Sequence, residues 1–368
     1  MNGVDPLHIL MLTSETTWRG GETQIDLLMR GLSERGHGVT LAAPPGSSIA
    51  DWAASGIPVT PLTISGGFDV AAAFRLRRIL QRDRYDIVHS HSSHAHSIAF
   101  LATLGWDNRP RLVVSRRVAF PISNNPLSRM KYASGADRYI AISAGVREVL
   151  VMGGVPREKI EIISSGVDLS KYAALKPSNQ LRRELAIPDE APLIGTIGAL
   201  VPNKAHTDFI RASQSILRHF PDAYFMIVGE GPLQQQLRSL ARDLQLQDRM
   251  IFTGFREDPI ALLSLCDCFV ISSILEGLCT SIMDAQLAGV PVVATRSGGI
   301  PDLVTDGETG LLVAPRQPEQ LAAAVMRMLA EPDLRSRCIT NGTEKAGAYD
   351  YQIMVARTEV SYRAVIDE

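Results

Sequence analysis

The stretch of this sequence richest in chemistry is Ser272-Ser273-Ile274-Leu275-Glu276-Gly277-Leu278-Cys279-Thr280-Ser281-Ile282-Met283-Asp284-Ala285. It follows a short apolar run, read as a buried strand. A polar turn carrying one carboxylate, Glu276, leads into a helical pattern that begins near Thr280. The unpaired N–H groups at a helix start favour an anion such as phosphate. Asp284 falls on the same helix face as Thr280 and Ser281 by i, i+4 and i, i+3 spacing. That arrangement suits a nucleotide, with phosphates at the helix mouth, ribose hydroxyls on Asp284 and hydroxyls of an attached sugar on Glu276.

Three other clusters follow predicted strands. In Trp18-Arg19-Gly20-Gly21-Glu22, Gly20 and Gly21 allow close approach of a ligand at the start of a helix, though a tight turn without any ligand would use the same residues. His89-Ser90-His91-Ser92-Ser93-His94-Ala95-His96 lies at a strand's C-terminal end, where open α/β sheets place their ligands. His89, His91 and His94 could offer three zinc ligands, but no carboxylate or Cys completes a set, and no metal is expected. Burial as ordinary core residues is the reading favoured for His89, His94 and His96. Arg116 and Arg117, adjacent in the loop after the next strand, could grip a phosphate or carboxylate on an acceptor, or stand solvated.

The elements that must position these groups alternate in type along the whole chain. Short apolar runs predict strands at 8–11, 39–42, 87–89, 112–115, 139–142 and 160–163, with helical periodicity between them, as at Ile25, Leu28, Met29 and Leu32. The pattern restarts at 193–198 and continues at 224–228, 250–253, 268–271 and 291–294. Asp168, Pro177, Ser178, Asn179 and Pro188 interrupt it between residues 166 and 191. Two doubly wound α/β domains are therefore expected, at 1–170 and 171–345, with a closing helix at 346–368.

A chain of 368 residues, 45% of them apolar, can bury two cores. The formal net charge of −2 argues against a nucleic-acid partner. Up to Asp168 there are 18 Lys and Arg against 15 Asp and Glu, and beyond it 19 against 24. The basic excess gathers at Arg75, Arg77, Arg78, Arg82 and Arg84 and again over 109–131, where it could meet an anionic acceptor or an anionic membrane surface, or form a solvated helix face. Cys266, Cys268, Cys279 and Cys338 show neither zinc nor disulfide spacing, which suits a reducing cytoplasm. The polar start at 1–6 and the short apolar stretch at 7–13 do not make a signal peptide, and no run is long enough to span a bilayer. The expected location is cytoplasmic, with peripheral contact at the inner face of the membrane.

Taken together, the segment from Ser272 to Ala285, Gly298-Gly299-Ile300-Pro301-Asp302, Asp306-Gly307-Glu308-Thr309-Gly310, Val228-Gly229-Glu230-Gly231-Pro232 and Ser165-Gly166-Val167-Asp168 resembles the retaining family 4 glycosyltransferases over nearly the whole chain. The resemblance implies the GT-B architecture, two Rossmann-like domains facing across a cleft, the first binding acceptor and the second a nucleotide diphosphate sugar. It makes Lys204, in Gly198-Ala199-Leu200-Val201-Pro202-Asn203-Lys204, the cation on the donor diphosphate, and His91 the active-site histidine beside the transferred sugar. Three positions depart from the family pattern: Ala199 where many members have Arg, Cys279 where Gly is usual, and Asp284 for the commoner Glu.

The expected activity is metal-independent, cofactor-free retaining transfer of a sugar to an envelope glycan or glycolipid precursor. His91, Glu276 and Lys204 would be catalytic, and Gly20, Gly21, Thr280, Ser281 and Asp284 would join Lys204 and Glu276 in holding donor. Domain closure would exclude water. A nucleotide-sugar epimerase of the same fold, or a non-catalytic sugar- or nucleotide-binding protein, is the competing expectation. Gly229-Glu230-Gly231-Pro232 lacks the third glycine of a dinucleotide fingerprint and opposes a dehydrogenase.

Overall fold

The computed structural model describes residues 5–53, 56–123, 125–173, 175 and 178–368. Pro177 and residues 1–4 lie outside the described residues. The chain forms two compact units, one of Met1–Gly166 with Asp350–Glu368, the other of Val167–Tyr349.

The first unit is built on strands β1 (His8–Leu12), β2 (Gly38–Ala43), β3 (Val59–Pro61), β4 (Ile87–Ser90), β5 (Arg111–Arg116), β6 (Arg138–Ala141) and β7 (Ile160–Ile162). They form one parallel sheet in the order β3-β2-β1-β4-β5-β6-β7. β4 is buried at every position, because a parallel sheet is covered by helices on both faces and alternation disappears. Ile9, Met11, Ile25, Leu28, Leu41, Ile87 and Val113 pack into one core with Met354, Val355, Tyr362 and Val365 of the last helix, Tyr351–Asp367. Each large apolar side chain so buried contributes about 1.5–3 kcal/mol. The last helix thus belongs to the core of the first unit although the second unit separates it in sequence.

The second unit holds β8 (Leu193–Ile197), β9 (Tyr224–Val228), β10 (Met250–Gly254), β11 (Cys268–Ile271), β12 (Val292–Thr295) and β13 (Leu311–Val313). Their order is β10-β9-β8-β11-β12-β13, again parallel throughout. Ile194, Phe209, Phe225, Ile227, Val270, Val293, Val325 and Met328 fill its core. β3 and β13 are not expected from the sequence pattern. Each is three residues long and lies at a sheet edge, as β7 does, but without the Ile160, Ile162 and Ile163 run that marks β7 in the sequence.

In both sheets the chain reverses its direction of strand addition once, between β1 and β4 in the first and between β8 and β11 in the second. At such a point neighbouring loops leave to opposite sides and open a crevice at the carboxyl ends of the strands. The residues singled out from the sequence follow those strands.

Candidate functional site

In the second unit, β8 leads through the 3-10 turn Pro202–Lys204 and β11 leads into the Ser272–Cys279 turn. The two loops are tied by main-chain and side-chain bonds. Ile274 N–H donates to Asn203 O at 2.8 Å, Ser272 Oγ to Lys204 O at 3.0 Å, and Asn203 Nδ2 to Leu275 O at 3.3 Å. Lys204 Nζ then lies 2.5 Å from Glu276 Oε1, an oxygen that also accepts from Ser273 Oγ at 2.7 Å. Burial by itself lowers the lysine's pKa, but interactions led by the Glu276 carboxylate more than offset it, so the pKa is raised and the ammonium stays charged.

Two glycines permit this packing. A Cβ at Gly298, whose φ is +54°, would stand 1.8 Å from Glu276 O. One at Gly229, φ +131°, would stand 2.2 Å from Gly198 O, in the loop that leads to Lys204. Any side chain at either would push apart the loops that bring Lys204 to Glu276.

The helix Thr280–Leu287 starts beside this pair. Its N-cap, Cys279, has φ +74° and ψ +72°, and no side chain caps the helix start. A left-handed backbone is natural to glycine, which gives a physical reason for glycine being usual here. Burial, then Glu276, pushes the Cys279 thiol up to about 12, so it stays protonated. One turn into the helix, Asp284 Oδ1 accepts from Tyr172 Oη at 2.5 Å. Burial raises the Asp284 pKa to about 6, against the pull of Tyr172 and Lys171. Lys204, Glu276, Thr280, Ser281 and Asp284 are therefore neighbours around one helix mouth, while Ala199 brings no charge to it.

In the first unit, Gly20 and Gly21 are the first two residues of the helix Gly20–Glu34, which follows β1. A Cβ at Gly21 would meet only Arg117 Cδ, at 3.9 Å, so the fold leaves that position open and runs Arg117 beside it. Arg19 N–H donates to the buried carboxylate of Glu22 at 3.0 Å. Burial raises the Glu22 pKa, with Arg19 and Arg117 among the groups opposing the shift. Burial likewise lowers the Arg117 pKa to about 10.

His91 follows β4, and its N–H donates to Leu12 O at 2.9 Å. Burial, then His89 and Arg117, holds its pKa well below the usual imidazole range, so the ring is neutral. Arg117 Nη2 is 3.3 Å from His91 Nδ1, and an arginine can only donate. Nδ1 is therefore the acceptor and the ring proton sits on Nε2, 3.3 Å from Met11 Sδ. The His89 ring lies against that of His91, tilted by 36° with centroids 4.0 Å apart, and has Nδ1 2.6 Å from Tyr362 Oη and Nε2 2.8 Å from Ser115 Oγ.

The paired arginines play different parts. Arg117 turns to His91, whereas Arg116 donates to Tyr132 Oη at 2.8 Å and to Phe120 O at 2.5 Å and so holds its own loop. Of the remaining histidines, His96 is buried edge-on to Tyr132 and Tyr139, and burial lowers its pKa to about 3, while His94 is exposed. Among the described residues no cluster of three or more His, Cys, Asp or Glu is gathered for a metal ion.

Tyr172, Ser273, Glu22 and Tyr362 were not assigned roles from the sequence. Ser273, three residues before Glu276, and Glu22, next to Gly21, have a local signal in the sequence. Tyr172 is 112 residues from Asp284 and Tyr362 273 residues from His89, separations that only the fold closes.

Two doubly wound parallel-sheet units, each with one switch point in its strand order, are the architecture of the GT-B glycosyltransferases. The family model described as Glycosyl transferases group 1 matches residues 177–345. That described as Glycosyltransferase Family 4 matches residues 18–171. The lipopolysaccharide core biosynthesis glycosyltransferase LpsE of Rhizobium meliloti (strain 1021) is 30% identical over 244 residues, 66% of this chain and 69% of that protein. The chain therefore belongs to the family 4 glycosyltransferases.

A GDP-mannose-dependent alpha-(1-6)-phosphatidylinositol monomannoside mannosyltransferase of Mycobacterium tuberculosis (strain ATCC 25618 / H37Rv) is 28% identical over 362 residues, 89% of this chain and 90% of that protein. Among solved structures, Anabaena Alr3699/HepE in complex with UDP and glucose superposes with a TM-score of 0.84 at 21% identity, covering 97% of this chain and all of that one. At that identity the superposition speaks for the fold.

Proposed function

We propose that this glycosyltransferase moves a sugar, with retention of anomeric configuration and without a metal ion, from a nucleotide diphosphate sugar to an envelope glycan or glycolipid precursor. The observation that carries this reading is the Lys204–Glu276 pair beside the uncapped start of the helix Thr280–Leu287. A cation and free N–H groups suit a diphosphate, and a carboxylate beside them suits the hydroxyls of the attached sugar.

The difficult step breaks the bond between the anomeric carbon and the diphosphate oxygen, and negative charge collects on the departing group. Lys204 and the N–H groups at Thr280 and Ser281 would stabilise that charge. Binding of the diphosphate would draw Lys204 Nζ away from Glu276 and leave the carboxylate to accept sugar hydroxyl bonds, while Asp284 holds the ribose. The acceptor oxygen forms the new bond on the face the diphosphate leaves, and its proton passes to a phosphate oxygen. The helix start at Gly20 and Gly21 would supply further N–H groups to phosphate. In His91 the neutral ring can bond a sugar hydroxyl, and its long contact to Arg117 is one that a hydroxyl could share. Arg117, with Arg116 ordering the loop, would meet an anionic group on the acceptor.

The names of the relatives support this acceptor class, one describing lipopolysaccharide core synthesis and another a phosphatidylinositol mannoside. They also leave the base open, since one relative is named for GDP-mannose and a structural neighbour holds UDP. The proposed place of action is the cytoplasmic face of the membrane. Among the described residues no helix is long and apolar enough to cross a bilayer.

The test is calorimetric titration with UDP, GDP and ADP, followed by incubation of the matching nucleotide sugars with acceptor and NMR of the product anomer. Binding of one nucleotide, weakened in Lys204→Ala, and a product with the donor's configuration are expected. Absence of any nucleotide binding, or an inverted product, overturns the reading. Conversion of donor to another sugar nucleotide without acceptor would identify an epimerase instead.

A further inference from the structure

The helix Val70–Asp83 has a conventional inner face, with Ala72, Ala73, Leu76 and Leu80 buried. Its outer face breaks the usual rule. Val70 and Phe74, one turn apart, are 57% and 65% exposed, and Phe68 in the loop just before is 74% exposed. Three large apolar side chains within seven residues thus stand in water at one end of one helix, where a solvent face carries polar groups.

Along the same face the character changes from apolar to basic. Arg75, Arg78 and Arg82 are exposed and follow Phe74 at helical spacing. The helix carries four arginines against one acid, Asp83, whose carboxylate is taken by Arg82. Asp69, just before the helix, accepts from the N–H groups of Ala72 and Ser65 and lies 4.0 Å from Arg75 Nη2. Arg75 and Arg82 each have a carboxylate beside them, but four arginines against Asp69 and Asp83 leave residues 69–83 with a net charge of +2.

We propose that Phe68, Val70 and Phe74 insert into the headgroup boundary of an anionic phospholipid bilayer, with Arg75 and Arg78 on its phosphates. The occupant follows from charge complementarity. An apolar cluster alone would suit any protein partner, but apolar side chains flanked by arginines match a surface with acyl chains beneath a layer of negative charge. The proposal rests on the reading that the acceptor is borne on a lipid, which calls for an enzyme held at the membrane.

Co-sedimentation of the full chain with phosphatidylcholine vesicles, with and without phosphatidylglycerol, tests it in the absence of donor and acceptor. Binding only to the phosphatidylglycerol vesicles, falling as salt rises, is expected. Phe68→Ser/Phe74→Ser should weaken that binding at least about tenfold, given the transfer free energy of two phenyl groups. Its thermal melt and nucleotide titration should match those of the natural sequence. No binding to anionic vesicles, or equal binding by the double variant, overturns the proposal. So does self-association in the ultracentrifuge that the double variant abolishes, which would assign the face to a second copy. A failed vesicle experiment leaves the transfer reading standing, and a failed nucleotide titration leaves the membrane surface standing.

Discussion

Lys204 Nζ and Glu276 Oε1 lie 2.5 Å apart, although the residues are 72 positions distant and arrive on different strands. With side chains only 22% and 9% exposed, the two charges neutralise each other where neither could remain alone at low cost. The pair keeps the proposed donor site charged yet balanced until an anion enters. Ser273 fixes the carboxylate oxygen that Lys204 uses, so the geometry is held from both sides.

Removing one partner should therefore act on both binding and stability. Lys204→Ala is expected to weaken nucleotide binding about tenfold to a hundredfold, the worth of a charge-assisted hydrogen bond. It should also cost about 3 kcal/mol of stability by leaving Glu276 uncompensated. Glu276→Gln should keep most nucleotide affinity and lose transfer. Titration calorimetry, urea unfolding and product formation check all three, and full transfer by Glu276→Gln would remove the carboxylate from the mechanism.

The fold and the grouping of residues around Glu276 are readable in the sequence because their signals are local. Eleven strands announced themselves as apolar runs, and Glu276, Thr280, Ser281 and Asp284 share one turn and one helix. The sequence pattern says nothing of Tyr172 on Asp284 or Tyr362 on His89, because those partners meet through the sheet order and the path of the last helix. The difference between Arg116 and Arg117 was equally hidden. Adjacent residues at a strand end point to opposite sides, and which side holds Tyr132 and which holds His91 is decided by neighbouring elements.

Cys279 offers a test of backbone strain at the helix mouth. A non-glycine residue at φ +74° costs on the order of 1 kcal/mol relative to glycine, partly offset by the freedom glycine adds to the unfolded chain. Cys279→Gly should accordingly be neutral or raise the melting temperature slightly, and leave nucleotide affinity within about threefold. Cys279→Val should lower both, since a β-branched residue tolerates that conformation poorly. Calorimetric melting and titration compare the two, and a clear loss of stability in the glycine variant would show that the thiol's packing outweighs the strain.

The buried histidines set the pH response. Burial depresses the pKa of His89 and His91 far below the usual value, that of His96 to about 3 and that of His206 to about 4. Below pH 6.5 the unfolded chain takes up protons at these positions and the folded chain does not, so stability must fall on acidification. Each contributes about 1.4 kcal/mol per pH unit there. Asp284 acts with the opposite sign. Its folded pKa, raised to about 6, means that its protonated form favours the fold at low pH and that this contribution is lost as pH rises through 6. Urea midpoints should drop steeply between pH 7 and pH 5, and Asp284→Asn should raise the midpoint at pH 7.5 while weakening nucleotide binding. A midpoint flat across that range would contradict the burial of the neutral histidines.

His91 is neutral, and the Arg117 contact fixes its proton on Nε2. Long-range nitrogen–proton NMR on imidazole-labelled protein should show an unprotonated Nδ1 at this residue down to pH 5.5. Tyr362→Phe removes the hydroxyl 2.6 Å from His89 Nδ1 and leaves that nitrogen without its partner. The ring packed against His91 is then less firmly held, at a cost of about 1–3 kcal/mol in stability. Turnover should fall severalfold with nucleotide affinity unchanged, because the substitution touches none of the groups proposed to hold the diphosphate. An imidazolium signal from His91 at pH 6 would break this chain of reasoning at its first step. Unchanged turnover in Tyr362→Phe would break it at the second, leaving Tyr362 a packing residue of the last helix.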